Sequence, residues 1–177
     1  EEQKKIFNEK YPNIFVTVAG SARFSQNFQE TAQSDATNMY PAFLVLIIVL
    51  SYLLLRSVLA SLLSLIIIFL SILPSMGSAG WLEYQVLPPL IIAPIVILTI
   101  ALAHAIHILS IALSNMNEGM QKDEAIIESM KINFMPVFLT SFTTGVGVAG
   151  VNFGNIPAFS EMANAVVFGS LYSFLLS

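Results

Sequence analysis

The sequence predicts an all-α polytopic membrane protein with five membrane helices, and three observations carry that expectation. Hydrophobic residues make up 56% of the 177 and charged residues 10%, whereas an ordinary soluble domain is about 25% charged. The charges are also segregated: most fall within residues 1–35 and 118–131, and no Asp, Glu, Lys or Arg occurs between Glu83 and Glu118. Within that gap, residues 87–113 read LPPLIIAPIVILTIALAHAIHILSIAL. A bilayer span needs roughly 20 predominantly apolar residues, so this run is long enough to cross.

The elements follow in order. Residues 1–13 are polar and end in a break at Pro12. Ile14 to Gly20 (IFVTVAG) is β-branched and aromatic and closed by glycine, the composition of a strand. Residues 22–40 are polar, with Phe24 and Phe28 four apart, as in an amphipathic helix leading into the membrane. Residues 1–38 are therefore read as the tail of an adjoining water-facing domain.

The first span is expected over 39–55, with Pro41 in its first turn, where a missing N–H costs nothing. A single helix over 42–73 would be about 48 Å long in a hydrocarbon core of about 30 Å. It would also bury Arg56 near its centre. A tight turn at Arg56 avoids both problems and starts a second span over 58–78, kinked or ended by Pro74, with Ser61, Ser64 and Ser71 as small polar contact points.

Trp81 and Tyr84 in the next connection suit a membrane boundary. The third span is expected over 88–113, with Pro94 inside it. Residues 121–132 read as an amphipathic helix in the interface plane, with Asp123 and Glu124 early and Lys131 late. A fourth span over 134–151 carries Thr140, Ser141, Thr143 and Thr144, then Gly145, Gly147 and Gly150. The fifth is expected over 157–177, with Glu161 in its first turns.

Chemistry concentrates at His104 and His107 on the third span. Their ring nitrogens need partners that lipid does not offer, so their face should meet another helix or a polar cavity. The hydroxyl-rich run Thr140, Ser141, Thr143 and Thr144 is the matching polar stripe. It either packs only, as Gly145, Gly147 and Gly150 suggest for their own half of the helix, or shares a polar relay with the histidines. A metal reading needs a third ligand such as Glu161, and no HExxH is present. No metal site, cofactor or enzymatic activity is therefore expected.

There is no cysteine, so thiolate and disulfide chemistry are excluded for these residues. A net charge of -4 offers no basic patch to nucleic acid. The apolar runs begin only after some forty polar residues, which argues against a cleavable leader. Arg56, Lys122 and Lys131 fall on one side of the expected topology and the opposite connections hold no Lys or Arg, so the positive-inside rule places residues 1–38 outside. An opening without methionine and an end within an apolar run read as an internal fragment.

This order of features resembles the amino-terminal membrane half of the resistance-nodulation-division (RND) superfamily. It is most similar to the MMPL-type or predicted-exporter branch, which is related to sterol-sensing domains. The likeness rests on AIHIL at 105–109 together with FLTSFTTGVG at 138–147, and on their separation within this topology. It implies an RND-type helix-bundle fragment, 39–177, preceded by the end of an extracytoplasmic α/β porter domain, 1–38.

It further implies a secondary transporter of a bacterial inner membrane, exporting hydrophobic or lipid-like molecules with proton coupling. Its partners would be membrane lipids, substrate, protons and a second half of the same protein, with assembly of several copies compatible. Relatives carry one or two aspartates where this chain has Ala103 and His104, which makes His104, with His107, the proton-relay candidate. A sterol- or lipid-sensing domain without a transport cycle is the alternative.

Overall fold

The first helix, α1, spans Ser21–Leu55 and joins two segments that composition separates. The structure, a computed structural model, describes residues 20–177. The strand expected over 14–20 lies outside the described residues except for Gly20, which caps α1 with φ 147°. Among the described residues there is neither strand nor sheet, so the expected α/β component is corrected to an all-α bundle.

The physical reason is visible in α1. Residues 21–38, expected to belong to a separate domain, are the outer half of one helix that continues through Pro41 into the apolar stretch. Backbone hydrogen bonds do not depend on side-chain polarity, so a change from polar to apolar composition does not end a helix. At 1.5 Å per residue α1 is about 52 Å long, well beyond the roughly 30 Å hydrocarbon core. Its polar end projects past the membrane.

The expected break at Arg56 is present. Arg56 takes the left-handed conformation, φ 48°, and its N–H bonds the Tyr52 carbonyl at 2.8 Å. Ser57 then caps the next helix by accepting from the Ala60 N–H. That helix, α2, runs Val58–Trp81 and passes through Pro74 for another seven residues. Helix α3 is Pro88–Asn117, starting with proline in its first turn.

Helix α4 is Lys122–Ala149, and it corrects a second expectation. The amphipathic piece at 121–132 and the span at 134–151 are one helix. Ala125, Ser129, Asn133 and Val137 fall on a single buried face at four-residue spacing, so the same stripe packs on α3 across the expected gap. A short 3-10 turn, Gly150–Phe153, leads to α5, Pro157–Leu176.

All five α-helices are long and apolar enough to cross a membrane. Helix α3 is the centre, packing against each of the other four, while α1 touches, among the described residues, α2 and α3 alone. One core cluster joins α2, α3 and α5 through Ala79, Leu90, Ala93, Ile97, Ala165 and Val166. A second joins α1, α2 and α3 through Ile47, Ile68, Leu98, Ala101 and Leu102. The outer faces are the reverse of a soluble protein's, with Leu53, Leu59, Ile66, Leu73 and Leu139 exposed.

Small residues allow this packing, because lipid supplies no hydrophobic drive between helices and close van der Waals contact must replace it. Ser51, Ser64, Ser71 and Ser75 are fully buried. Ser75 donates to the Ala165 carbonyl at 2.6 Å, joining α2 to α5. Gly169 of α5 lies so close to α3 that a Cβ there would sit 2.4 Å from Ile97 Cγ1.

Candidate functional site

His104 is buried because the helix that carries it is central. Along α3 the buried positions Leu90, Ala93, Ile97, Ala101, His104 and Ala105 form one stripe, the side that receives α5 and α4. His104 is 2% exposed. An ionisable side chain at such a depth marks a functional position by default, because only paired groups are tolerated there.

Both ring nitrogens are met. Nδ1 lies 2.8 Å from Ser173 Oγ on α5, and Nε2 lies 3.3 Å from Ser141 Oγ on α4. One imidazole thus links three helices. Ser173 is fully buried and Ser141 half-buried. A further hydroxyl, Ser170 Oγ, reaches the Ser141 carbonyl at 3.4 Å and adds a weak tie between α5 and α4.

The same polar stripe continues along α4. Ser129 donates to the Ile108 carbonyl of α3 at 2.5 Å, and Asn133 Nδ2 donates to the Ser129 carbonyl at 2.9 Å. The Ser129 bond crosses to α3 on the same face of α4 as Ser141, while the Asn133 bond stays within α4.

The hydroxyl-rich stretch therefore divides. Ser141 reaches the histidine, whereas Thr140 donates to the Pro136 carbonyl at 2.6 Å and Thr143 to the Leu139 carbonyl at 2.8 Å, both within α4. Thr144 is half-buried. Proline at 136 lacks an N–H, and the Thr140 hydroxyl supplements the hydrogen bonding of the turn that follows it. A Cβ added at Gly145, Gly147 or Gly150 would meet, among the described residues, nothing from a neighbouring helix within 4 Å.

His107 is exposed, as is Ala103. Three residues along a helix is about 300°, 60° short of a full turn, so His107 lies beside His104 but at the uncovered margin of that face. Among the described residues His104 is the histidine whose ring is hydrogen-bonded to side chains of other helices. Ser173 was missed in the sequence. Its one signal is Ser170 and Ser173 placed three apart within the apolar run of α5.

At the opposite end of α5, Asn164 Nδ2 donates to Tyr84 Oη at 3.3 Å and its Oδ1 accepts from Asn152 at 2.9 Å. Glu161 accepts from the Gln85 N–H at 3.1 Å. These bonds tie the α2–α3 and α4–α5 connections together and commit Glu161 far along α5 from Ser173. Among the described residues no group of three or more His, Cys, Asp or Glu is gathered that could hold a metal ion. The histidine pair has no third ligand there.

Five spans, a central helix with a buried histidine and a hydroxyl partner on each ring nitrogen are the features to set beside known proteins. The sequence model of the MMPL family matches residues 4–177. The chain belongs to the MMPL family. No curated protein matches it. MMPL proteins are membrane transporters and not enzymes. Within this MMPL chain the match runs over all five spans, so the His104 site lies inside the family's membrane region.

Proposed function

We propose that this MMPL chain is the amino-terminal membrane half of an RND-type exporter of hydrophobic or amphiphilic, lipid-like molecules, with proton coupling at His104. The proposal sets the chain in a bacterial inner membrane, with the polar end of α1 extracytoplasmic. The observation that carries it is the buried imidazole bonded to α4 and α5 at once. Neutral imidazole has one N–H donor and one acceptor nitrogen; the charged ring has two donors. Gaining or losing a proton therefore changes the hydrogen bond to at least one neighbouring helix. Among the side chains joined here, Ser173 and Ser141 carry only hydroxyls, so the imidazole is the group that can gain or lose a proton.

Ala103 and His104 occupy the positions where RND relatives carry relay aspartates, and Ala103 cannot titrate. His104 is then the group left to carry the proton, with exposed His107 as the neighbour to test against it. The bonds from Ser129 to the Ile108 carbonyl and from Ser141 to the ring support this reading, because both cross from α4 to α3.

The test is substrate flux across proteoliposomes against an imposed pH gradient. His104→Asn keeps hydrogen-bonding capacity but cannot titrate near neutrality. It is expected to abolish gradient-driven flux while leaving insertion and substrate binding intact. His104→Asp is expected to retain coupling with a displaced pH dependence. Unchanged gradient dependence in His104→Asn overturns the relay. The same loss confined to His107→Asn moves the role to that residue. Absence of any flux in the unmodified protein, with lipid binding retained, favours the sterol- or lipid-sensing alternative.

A further inference from the structure

The outer half of α1 has one face that changes character along its length. Phe28, Thr31, Asp35, Met39 and Phe43 follow one another at three- and four-residue spacing, so they share a side of the helix. From Thr31 to Phe43 that side runs about 18 Å, from the polar end of α1 into its apolar stretch. Along it, against Pro88, Ile92 and Ile95 at the start of α3, lies a groove of about 460 Å³. Among the described residues that line it, Asp35 alone is charged.

The Asp35 carboxylate is uncommitted. Gln26 donates to Glu30 at 2.8 Å and Thr37 to the Gln33 carbonyl at 2.8 Å, but all four lie on the other side of the helix. Among the described residues Asp35 itself has neither an ion pair nor a side-chain hydrogen bond. An ionised carboxylate can only accept, so what it lacks is a donor, best a positive one.

Size decides between a lipid-borne chain and a neighbouring helix as the occupant. A helix is about 10 Å across, and an 18 Å length of it displaces roughly 1,400 Å³. The groove holds about a third of that and falls in the range of about 300–1,000 Å³ usual for small-molecule sites. Met39 and Ile92 on its walls are exposed, so a molecule in the bilayer can enter from the side.

We propose that the α1/α3 groove binds a single-chain amphiphile with an ammonium headgroup, Asp35 receiving the headgroup and the chain lying between Phe43 and Ile95. The Thr31 hydroxyl is a second acceptor beside it. A phosphate-bearing lipid would bring an anion to the same carboxylate and is disfavoured. Binding stands on the groove alone; that the bound amphiphile is the exported cargo rests on the export reading above.

Tyr40 sets how deep the chain reaches. Tyr40 and Ile91 line this groove and also a second cavity of about 250 Å³, walled further by Met76, Gly80, Leu90 and Pro94. The Tyr40 hydroxyl donates to the Ile91 carbonyl and so fastens the wall that the two spaces share. Removing the ring joins them.

The test is photolabelling of the protein in phosphatidylcholine nanodiscs with octadecylamine, octadecanol and stearate, each carrying the same diazirine near the end of its chain, followed by peptide mapping. The amine is expected to label residues 39–43 and 88–95 about fivefold more than the alcohol, the upper end for an ion pair in contact with water, and stearate is expected to label them least. Asp35→Asn is expected to bring the amine down to the alcohol, and Asp35→Lys to make stearate the strongest of the three. Tyr40→Ala is expected to extend labelling by the amine to residues 76–80 of α2.

Equal labelling by amine and alcohol in the unmodified protein overturns the headgroup assignment, as does amine labelling that Asp35→Asn leaves unchanged. Label spread evenly over outward residues such as Leu53, Leu59 and Leu73, with none concentrated at the groove, overturns the site and leaves that face to a neighbouring helix. An unchanged map in Tyr40→Ala overturns the role of Tyr40 as its floor. Labelling needs no flux, so an amine that binds here and is not exported from proteoliposomes removes the export reading and leaves the site standing.

Discussion

Gly169 shows how closely a single residue controls this bundle. Its missing Cβ leaves the space filled by Ile97, which is fully buried on α3, and an added methyl would lie 2.4–2.7 Å from three of the Ile97 side-chain carbons. The same part of α5 carries Ser170 and Ser173, so displacement here reaches the His104 site. Gly169→Ala is expected to lower stability by about 1–3 kcal/mol, the usual cost of overpacking, and to lengthen the Ser173–His104 hydrogen bond. Ile97→Ala in the same chain should recover part of the loss by vacating the space. Thermal unfolding in mild detergent of the single and double variants checks this; additive losses would mean that the two positions do not compete.

At the scale of elements, α2 joins its neighbours by serines where a soluble helix would use leucines. Ser64 bonds Ser51 of α1 at 3.2 Å and Ser75 bonds the Ala165 carbonyl of α5 at 2.6 Å. Hydrogen bonds between membrane helices are worth about 0.6 kcal/mol on average, so their chief effect is to let the helices approach. Ser75→Ala should therefore cost only about 0.6 kcal/mol. Ser75→Leu, which forces α2 away from α5, should cost about 1–3 kcal/mol. Equal losses for the two, measured by detergent-titration unfolding, would show that the hydrogen bond rather than the spacing holds this pair. Elsewhere Tyr40 of α1 donates to the Ile91 carbonyl of α3. That carbonyl lies in the turn before Pro94, where the absent N–H already disturbs the helix ladder.

At the scale of the whole molecule, the five spans alternate direction. The Arg56 turn and the 118–121 connection share one side; Leu82–Leu87 and Gly150–Ile156 share the other. The structure supports the second pairing through Tyr84, Asn164 and Asn152, and through Gln85 with Glu161. With no native cysteine to remove, single-cysteine variants report sidedness cleanly. Arg56→Cys and Glu118→Cys should react with an impermeant reagent from the cytoplasmic side, and Gln85→Cys and Phe153→Cys from the opposite one. Reaction of Arg56→Cys and Glu118→Cys from different sides would break the topology. Reaction of both from outside would invert the orientation while leaving the fold.

The count and order of spans were legible in the sequence because bilayer thickness sets helix length. An apolar run of sufficient length declares itself, and a lone Arg56 between two such runs can only be a turn. That His104 would need partners was legible for the same reason: hydrocarbon offers none. The partners were not legible. Adjacent residues on a helix differ by about 100°, so a hydroxyl-rich stretch names four candidates, and only the rotation of α4 about α3 selects Ser141.

Thr140 and Thr143 had a local alternative in the carbonyls of their own helix, which composition does not reveal. Ser173 stands 69 residues from His104, joined to it solely by the way α5 lies on α3. The sequence by itself determined which segments cross, because crossing depends on each segment's own composition. Tertiary structure decided that α1 and α4 continue through changes of polarity and which side chains meet, because helix rotation and approach follow from packing among all five.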